Sequence, residues 1–175
     1  IDEPQGEIIV TGGPSIAGTD TVGELLVRGR NVFVGYWMKP AATAEAFRGG
    51  WFHTGDLGRI DPEGFITLVD RKKDMIISGG MNIYPADLEA ILREHEAVAD
   101  VAVIGVPSAD WGETPVACVV PVAGSSVTPE TLKTFANARL GKMQRISAVG
   151  LMDELPRSAI GKVLKRELQD SWARA

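Results

Sequence analysis

Short apolar runs broken by turn residues set the rhythm of the first part of the chain. Glu7 to Val10 and Glu24 to Arg28 are β-branched or leucine-rich, and TGGPSIAGTDTVG between them is loop chemistry, so two strands joined by a loop are expected. NVFVGYWMKP sets bulky aromatics beside a glycine, which reads as core or interface packing, and Ala41 to Phe47 reads as a short helix ended by Gly49-Gly50. In WFHTGDLGRIDPEGFITLVD, the DPEG turn separates two runs alternating well enough for a hairpin. The stretch DRKKDMIISGGMNIYPADLE then passes from charges to the apolar triplet Met75, Ile76 and Ile77, and on to Gly79-Gly80. A hinge, a short strand and a sharp turn follow from that order.

The second part is built from longer elements. Pro85 suits a first helical position, with Asp87 and Glu89 in the first turn, where acids complement the helix dipole. Leu88, Ile91 and Leu92 form its buried stripe, and Arg93 and Glu94 face water. Val98 to Val106 and Thr114 to Val122 are β-branched runs linked by PSADWGE, with an exposed Trp111, and should pair in one sheet. Thr128 and Pro129 open a helix burying Leu132, Phe135, Ala136 and Leu140, with Gly141 as its stop. A strand over Ala148 to Met152 precedes a last helix that buries Leu164, Leu168 and Trp172. Just before it, Lys162 follows Ile160-Gly161 and is expected on a flexible loop. Strands and helices in this order make an α+β fold.

Composition narrows the function classes. The chain has 175 residues and a formal net charge of -5, with a pI near 5.1. No basic field of the kind that holds nucleic acid is present, although local cations suffice for one small phosphate compound. The only cysteine, Cys118 in the apolar run ACVV, reads as a buried small hydrophobe, which excludes an intrachain disulfide and a cysteine-rich zinc cluster. No apolar run approaches the ~18 residues of a transmembrane segment and no signal-peptide pattern opens the chain. A soluble protein of a reducing compartment, the cytoplasm, is therefore expected. The start at Ile1, without methionine and in mid-pattern, reads as an excised or processed piece.

Two residues carry candidate chemistry on their own. Asp56, after Thr54-Gly55, can lie beside open backbone and accept hydrogen bonds from a diol such as a ribose; it can equally be a turn aspartate bonding its own backbone. His53 stands without a serine or cysteine nucleophile pattern and reads as a packed or surface residue.

Taken together, GELLVRG, GYWMKP, WFHTGDLG and DRKKDMIISGGMNIYPADLE, in this order and spacing, resemble the adenylate-forming superfamily of acyl-CoA synthetases. The run SGGMNIYPADLE is similar in particular to the fatty-acyl and aryl CoA ligase branch. Matching motifs run from about Val22 to about Leu168. The resemblance implies residues 1-69 as the β-rich end of a large N-terminal domain and 70-175 as a mobile small C-terminal domain with a mixed sheet and packed helices. It implies that Asp56 holds the ribose hydroxyls of ATP or AMP, that Arg71 adds a guanidinium near the same ribose, and that Lys73 is the hinge. Gly79 and Gly80 would form the loop that approaches the pantetheine arm in the thioester step. Lys162 would be the catalytic lysine that touches the substrate carboxylate and the α-phosphate during adenylation. No metal site is implied in this chain. Gln144 departs from the family pattern, where a proline is usual, at the loop after the second long helix.

On the same resemblance, the intact enzyme would convert a fatty or aryl acid, ATP and CoA to acyl-CoA, AMP and pyrophosphate through an acyl-adenylate, with ATP, Mg2+ and CoA as its cofactors. This chain lacks the phosphate loop and acid pocket and is expected to be inactive alone, with none of these bound. Two alternatives stay open: a ligase that loads the acid onto a carrier protein, and a non-catalytic binding module derived from the small domain. Strands in 1-69 deprived of partners would leave edges for self-association.

Overall fold

The computed structural model describes residues 7-11 and 22-174. Most of the TGGPSIAGTDTVG loop lies outside them. The chain divides into two compact units, Ile1–Lys73 and Asp74–Ala175.

The first unit is an antiparallel sheet in the order β1-β2-β3-β4, formed by Glu7–Val10, Gly23–Arg28, Phe52–Ile60 and Ile66–Arg71. DPEG closes the β3-β4 hairpin: the Asp61 carboxylate accepts from Phe65 N at 2.7 Å, and Gly64 takes a φ of +87° that other residues resist. A short helix α1, Pro40–Ala46, runs up to the Gly49-Gly50 turn. The aromatic run divides. Phe33 stacks on Tyr36, Phe47 and Phe52 with centroids 5.0 to 5.3 Å apart, a spacing that adds about 0.5–1.5 kcal/mol per pair. Val34, Trp37 and Met38 are the most exposed large apolar residues of the run, at 99%, 89% and 83%, and Met38 takes a φ of +53°.

The second unit is a mixed five-stranded sheet in the order β6-β5-β8-β7, with β9 on β8. Its strands are β5 Ile76–Ser78, β6 Met81–Ile83, β7 Val98–Ser108, β8 Gly112–Pro121 and β9 Ala148–Leu151. The β7-β8 ladder is antiparallel from Val98↔Pro121 to Ser108↔Gly112, and β9 joins β8 in parallel. Both faces are covered, which is why β7 reads as an apolar run from Val101 to Val106 rather than an alternation. Val101 and Val103 pack with Leu88, Leu92, Leu132 and Ala136 from helices α2, Pro85–Arg93, and α3, Pro129–Asn137. Ala102 and Ile104, pointing the other way, pack with Leu168 and Trp172 of helix α4, Lys165–Trp172. Cys118 is buried in this second layer and burial pushes its thiol up to about 11.

The helices begin where chemistry directs. Pro85 and Pro129 stand at the first helical position, and the Thr128 hydroxyl caps α3 by accepting from Thr131 N at 3.2 Å. The expected Leu164-Leu168-Trp172 stripe holds in its last two members. Leu164 precedes α4 as its cap residue, and Trp172 lies so close to Gly150 that a Cβ there would sit 2.8 Å from its ring.

Candidate active site

In the first unit, strand pairing sets Asp56 of β3 directly opposite Arg71 of β4. Their side chains meet, Arg71 Nε lying 2.7 Å from Asp56 Oδ1. The carboxylate thus faces a cation rather than its own backbone, as a turn aspartate would. Thr54 fixes the approach: its hydroxyl donates to Leu25 O at 2.9 Å and accepts from Asp56 N at 3.0 Å. Gly55, at φ +74°, makes the bend that brings these groups round. An ionised carboxylate has room for about four donors, so Arg71 leaves acceptor capacity on Asp56 for a diol.

Behind this pair stands a residue that sequence reasoning missed. The Glu24 carboxylate, 8 % exposed, receives Lys72 Nζ at 2.9 Å and His53 Nδ1 at 3.1 Å, with Arg48 at 3.6 Å. Burial works to raise its pKa, but the hydrogen bonds and charges of His53 and Lys72 outweigh it and hold the carboxyl below its ordinary 4.5. Glu24 therefore joins the β3 residue three before Asp56 to the residue just after Arg71. The partners lie far from Glu24 in sequence, so no local pattern could have announced them. Lys73 follows as an exposed turn residue and is the last of the first unit.

In the second unit, Gly79 and Gly80 form the β5-β6 turn with φ of +56° and +80°. They differ in surroundings. A Cβ on Gly79 would lie 2.8 Å from the Trp111 ring, whereas one on Gly80 would meet nothing within 4 Å. Gly79 N donates to Trp111 O at 2.9 Å, tying the turn to the β7-β8 connection. Beside it opens a cleft of about 380 Å³, lined by Ser78, Trp111, Lys133, Lys142, Met143 and Arg145 among others. Its cations come from α3 and the segment that follows. An aromatic face with basic side chains suits a phosphorylated, planar ligand.

Lys162 is exposed, three residues ahead of α4. Its loop is not the loose segment that Gly161 suggested. Ser158 N donates to Lys162 O at 2.8 Å, Gly161 N to Ser158 O at 2.8 Å, and Leu164 N to Pro156 O at 2.8 Å, around an Arg157↔Val163 bridge. Lys165, at the start of α4, donates to Glu89 of α2 at 2.8 Å, and Glu89 also accepts from Val103 N at 2.9 Å. The acid expected only to suit a helix dipole is a partly buried tie between two helices and a strand.

The two features of this unit do not converge. Arg157 of the Lys162 loop pairs with Asp100 near the start of β7. The glycine turn joins the other end, where Ser78 pairs with Gly112 and Gly112 with Ser108. Eight residues of extended strand, at ~3.3 Å each, put the two ends about 26 Å apart. Among the described residues no group of His, Cys, Asp and Glu is placed to hold a metal ion, and no helix is long and apolar enough to cross a membrane.

Comparison with known proteins shows what the chain is similar to. Residues 87-162 match the AMP-binding enzyme C-terminal domain. By that match the second unit carries an AMP-binding enzyme C-terminal domain. A 2-succinylbenzoate–CoA ligase of Geobacillus sp. (strain WCH70) is 49% identical over 147 residues, 84% of this chain and 30% of that protein. A long-chain-fatty-acid–CoA ligase of Escherichia coli O157:H7 is 47% identical over 148 residues, 85% of this chain and 26% of that protein. These alignments exceed what residues 74-175 can supply, so the likeness to AMP-binding enzymes extends into the first unit. The crystal structure of ATP-bound MatB from Rhodopseudomonas palustris superposes with a TM-score of 0.88 at 36% identity, over 97% of this chain and 34% of that one. The chain thus spans about 30% of the length of the curated relatives it matches.

Proposed function

We propose that this chain is the C-terminal part of an ATP-dependent acyl-CoA synthetase, comprising the β-rich end of a large adenylation domain and a small domain that turns about Lys73. The observation that carries the reading is the separation within the second unit. The loop of Lys162 is tied through Arg157 to Asp100, and the Gly79-Gly80 turn to the Ser108-Gly112 end of the same strand; these two anchor points are about 26 Å apart by strand length. One site can receive the loop and the turn only in succession. Two half-reactions that exchange one end of the domain for the other use such a geometry, and a single-step enzyme has no need of it.

In the first half-reaction the acid's carboxylate would attack the α-phosphate of ATP and release pyrophosphate. Asp56 would accept from the ribose hydroxyls, with Arg71 beside it. Lys162, a compact cation on a long stem, would follow charge as it moves between carboxylate and phosphate. At about 4 Å and an effective dielectric of ~20 such a contact contributes on the order of 4 kcal/mol before desolvation. In the second half-reaction CoA's thiol would attack the acyl-adenylate past Gly79-Gly80, with the phosphates of CoA on Lys133, Lys142 and Arg145. That basic cleft favours CoA over a carrier protein, and comparing CoA with a phosphopantetheinylated carrier separates them. Mg2+ would arrive on the phosphates of ATP, as is usual for this ion. Both cosubstrates are held inside cells, so the activity belongs in the cytoplasm. Exposed Phe65 and Leu68 beside the β4 edge support self-association of the first unit, which a strictly monomeric sedimentation profile would refute.

The deciding experiment replaces Lys162 with alanine in the intact enzyme. Adenylate formation should be lost while supplied acyl-adenylate still yields thioester; equal loss of both steps removes the lysine from this role. The 175-residue chain alone should give no pyrophosphate exchange with any of a panel of acids, and turnover there would contradict the assignment.

A further inference from the structure

We propose that Ser158 and Arg157 are positioning residues for Lys162, holding its backbone so that the side chain leaves the loop in one fixed direction. The proposal rests on the adenylation role given to Lys162 and deepens it. The peptide unit between Gly161 and Lys162 is held at both ends. Its carbonyl, Gly161 O, accepts from Arg157 Nη1 at 2.6 Å, and its N–H, Lys162 N, donates to Ser158 Oγ at 3.2 Å. The next carbonyl, that of Lys162 itself, accepts from Ser158 N at 2.8 Å. With the polar backbone groups on both sides of its Cα engaged, Lys162 keeps the direction of its Cα–Cβ bond.

The restraint reaches firm ground. The other end of the Arg157 guanidinium pairs with Asp100 Oδ2, and Asp100 Oδ1 accepts from Val101 N at 2.9 Å, where β7 is buried. Arg157 suits this post because its planar fork holds a carbonyl on one nitrogen and a carboxylate on another at fixed angles, whereas a lysine ammonium offers rotatable donors on a single nitrogen. Leu155 before the loop is buried and Val163 after it packs on the α4 layer. The loop therefore moves with the sheet, and the motion that brings Lys162 to substrate belongs to the whole unit. Holding a reacting group in place is worth a large factor in rate, since a displacement of ~1 Å can cost roughly a hundredfold.

The test has an arm that does not depend on catalysis. In this chain, Ser158→Ala and Arg157→Ala should speed hydrogen exchange at the Gly161 and Lys162 amides by about tenfold while β7 and β8 keep their protection; unchanged exchange at those amides overturns the proposal. In the intact enzyme, the same variants should lower the single-turnover adenylation rate by about tenfold or more, with KM for ATP and the thioester rate within about twofold of wild type. Ser158→Thr, which keeps the hydroxyl, should restore both readouts, and Arg157→Lys should restore them only in part. A freed amide with an unchanged adenylation rate overturns the positioning role. If instead Lys162→Ala leaves adenylation intact, the functional reading fails, while the exchange arm still reports on the loop.

Discussion

Glu24→Gln isolates what a buried carboxylate does behind the proposed nucleotide pair. The substitution keeps the shape and removes the charge that Lys72, His53 and Arg48 approach. Hydrogen bonds to an ionised group contribute ~1.5–3 kcal/mol each. Lys72 and Arg48 are about half exposed, at 51% and 49%, so solvent screening discounts most of their share. His53, at 15% exposure, is not relieved in that way. A net loss of about 2 kcal/mol from the first unit follows, close to a thirtyfold change in an opening equilibrium. Hydrogen exchange on the intact chain reads it directly: amides of β2 and β3 should lose about thirtyfold protection, and those of β7 and β8 should not change. The effect also has a pH signature. A carboxyl whose folded pKa is lowered contributes stability above its ordinary 4.5 and loses it as pH falls through the lowered value. The gap between wild type and variant should be full at neutral pH and close below about pH 4.5. Protection in β2 and β3 within about twofold of wild type at neutral pH, or a gap that widens in acid, would refute the reasoning.

Three further outcomes are expected. Gly80→Val in the intact enzyme should slow thioester formation more than adenylation; its positive φ costs the turn about 1–2 kcal/mol, and the side chain projects into open space. A thioester rate equal to wild type would exclude this glycine from the passage. Lys142→Glu combined with Arg145→Glu, both in the cleft beside Trp111, should raise KM for CoA by roughly tenfold or more and leave KM for ATP unchanged; a shift in both would point to general damage. Cys118, its thiol raised to about 11 by burial, should resist a thiol reagent at pH 8 until the chain unfolds, and fast native labelling would show that the α4 layer opens.

The elements were legible in sequence wherever a local rule decided them. The β-branched runs around Val101 and Val119, the DPEG turn and the proline-led helix starts each contain their own cause within a few residues. The Asp56-Arg71 pair was legible as two candidates but not as a contact, because the hairpin register that joins them is a property of two strands. Glu24, Glu89 and Arg157 escaped for a common reason. Each meets partners tens of residues away, and a lone charge in sequence looks the same whether it is solvated or tied down. The loop at Lys162 shows the risk in the opposite direction. Gly161 signals freedom to take φ of +79°, and that freedom serves a closed turn as readily as a loose one. Among the aromatics, Phe33 and Trp37 have similar neighbours in sequence, yet Phe33 stacks on three rings while Trp37 is left 89% exposed.

The parallel pairing of β9 with β8 sets an order of assembly. The β7-β8 hairpin closes over a few residues, but β9 can take its place only after the chain from Pro121 to Ala148 has laid α3 across the sheet. Closing that crossover costs chain entropy before any contact repays it, so the hairpin should nucleate and β9 should dock late. Lys162 lies beyond β9, and Arg157 finds Asp100 only on a finished β7. A chain still on its way to the native state therefore has the strand that anchors the Lys162 loop before it has β9 in place.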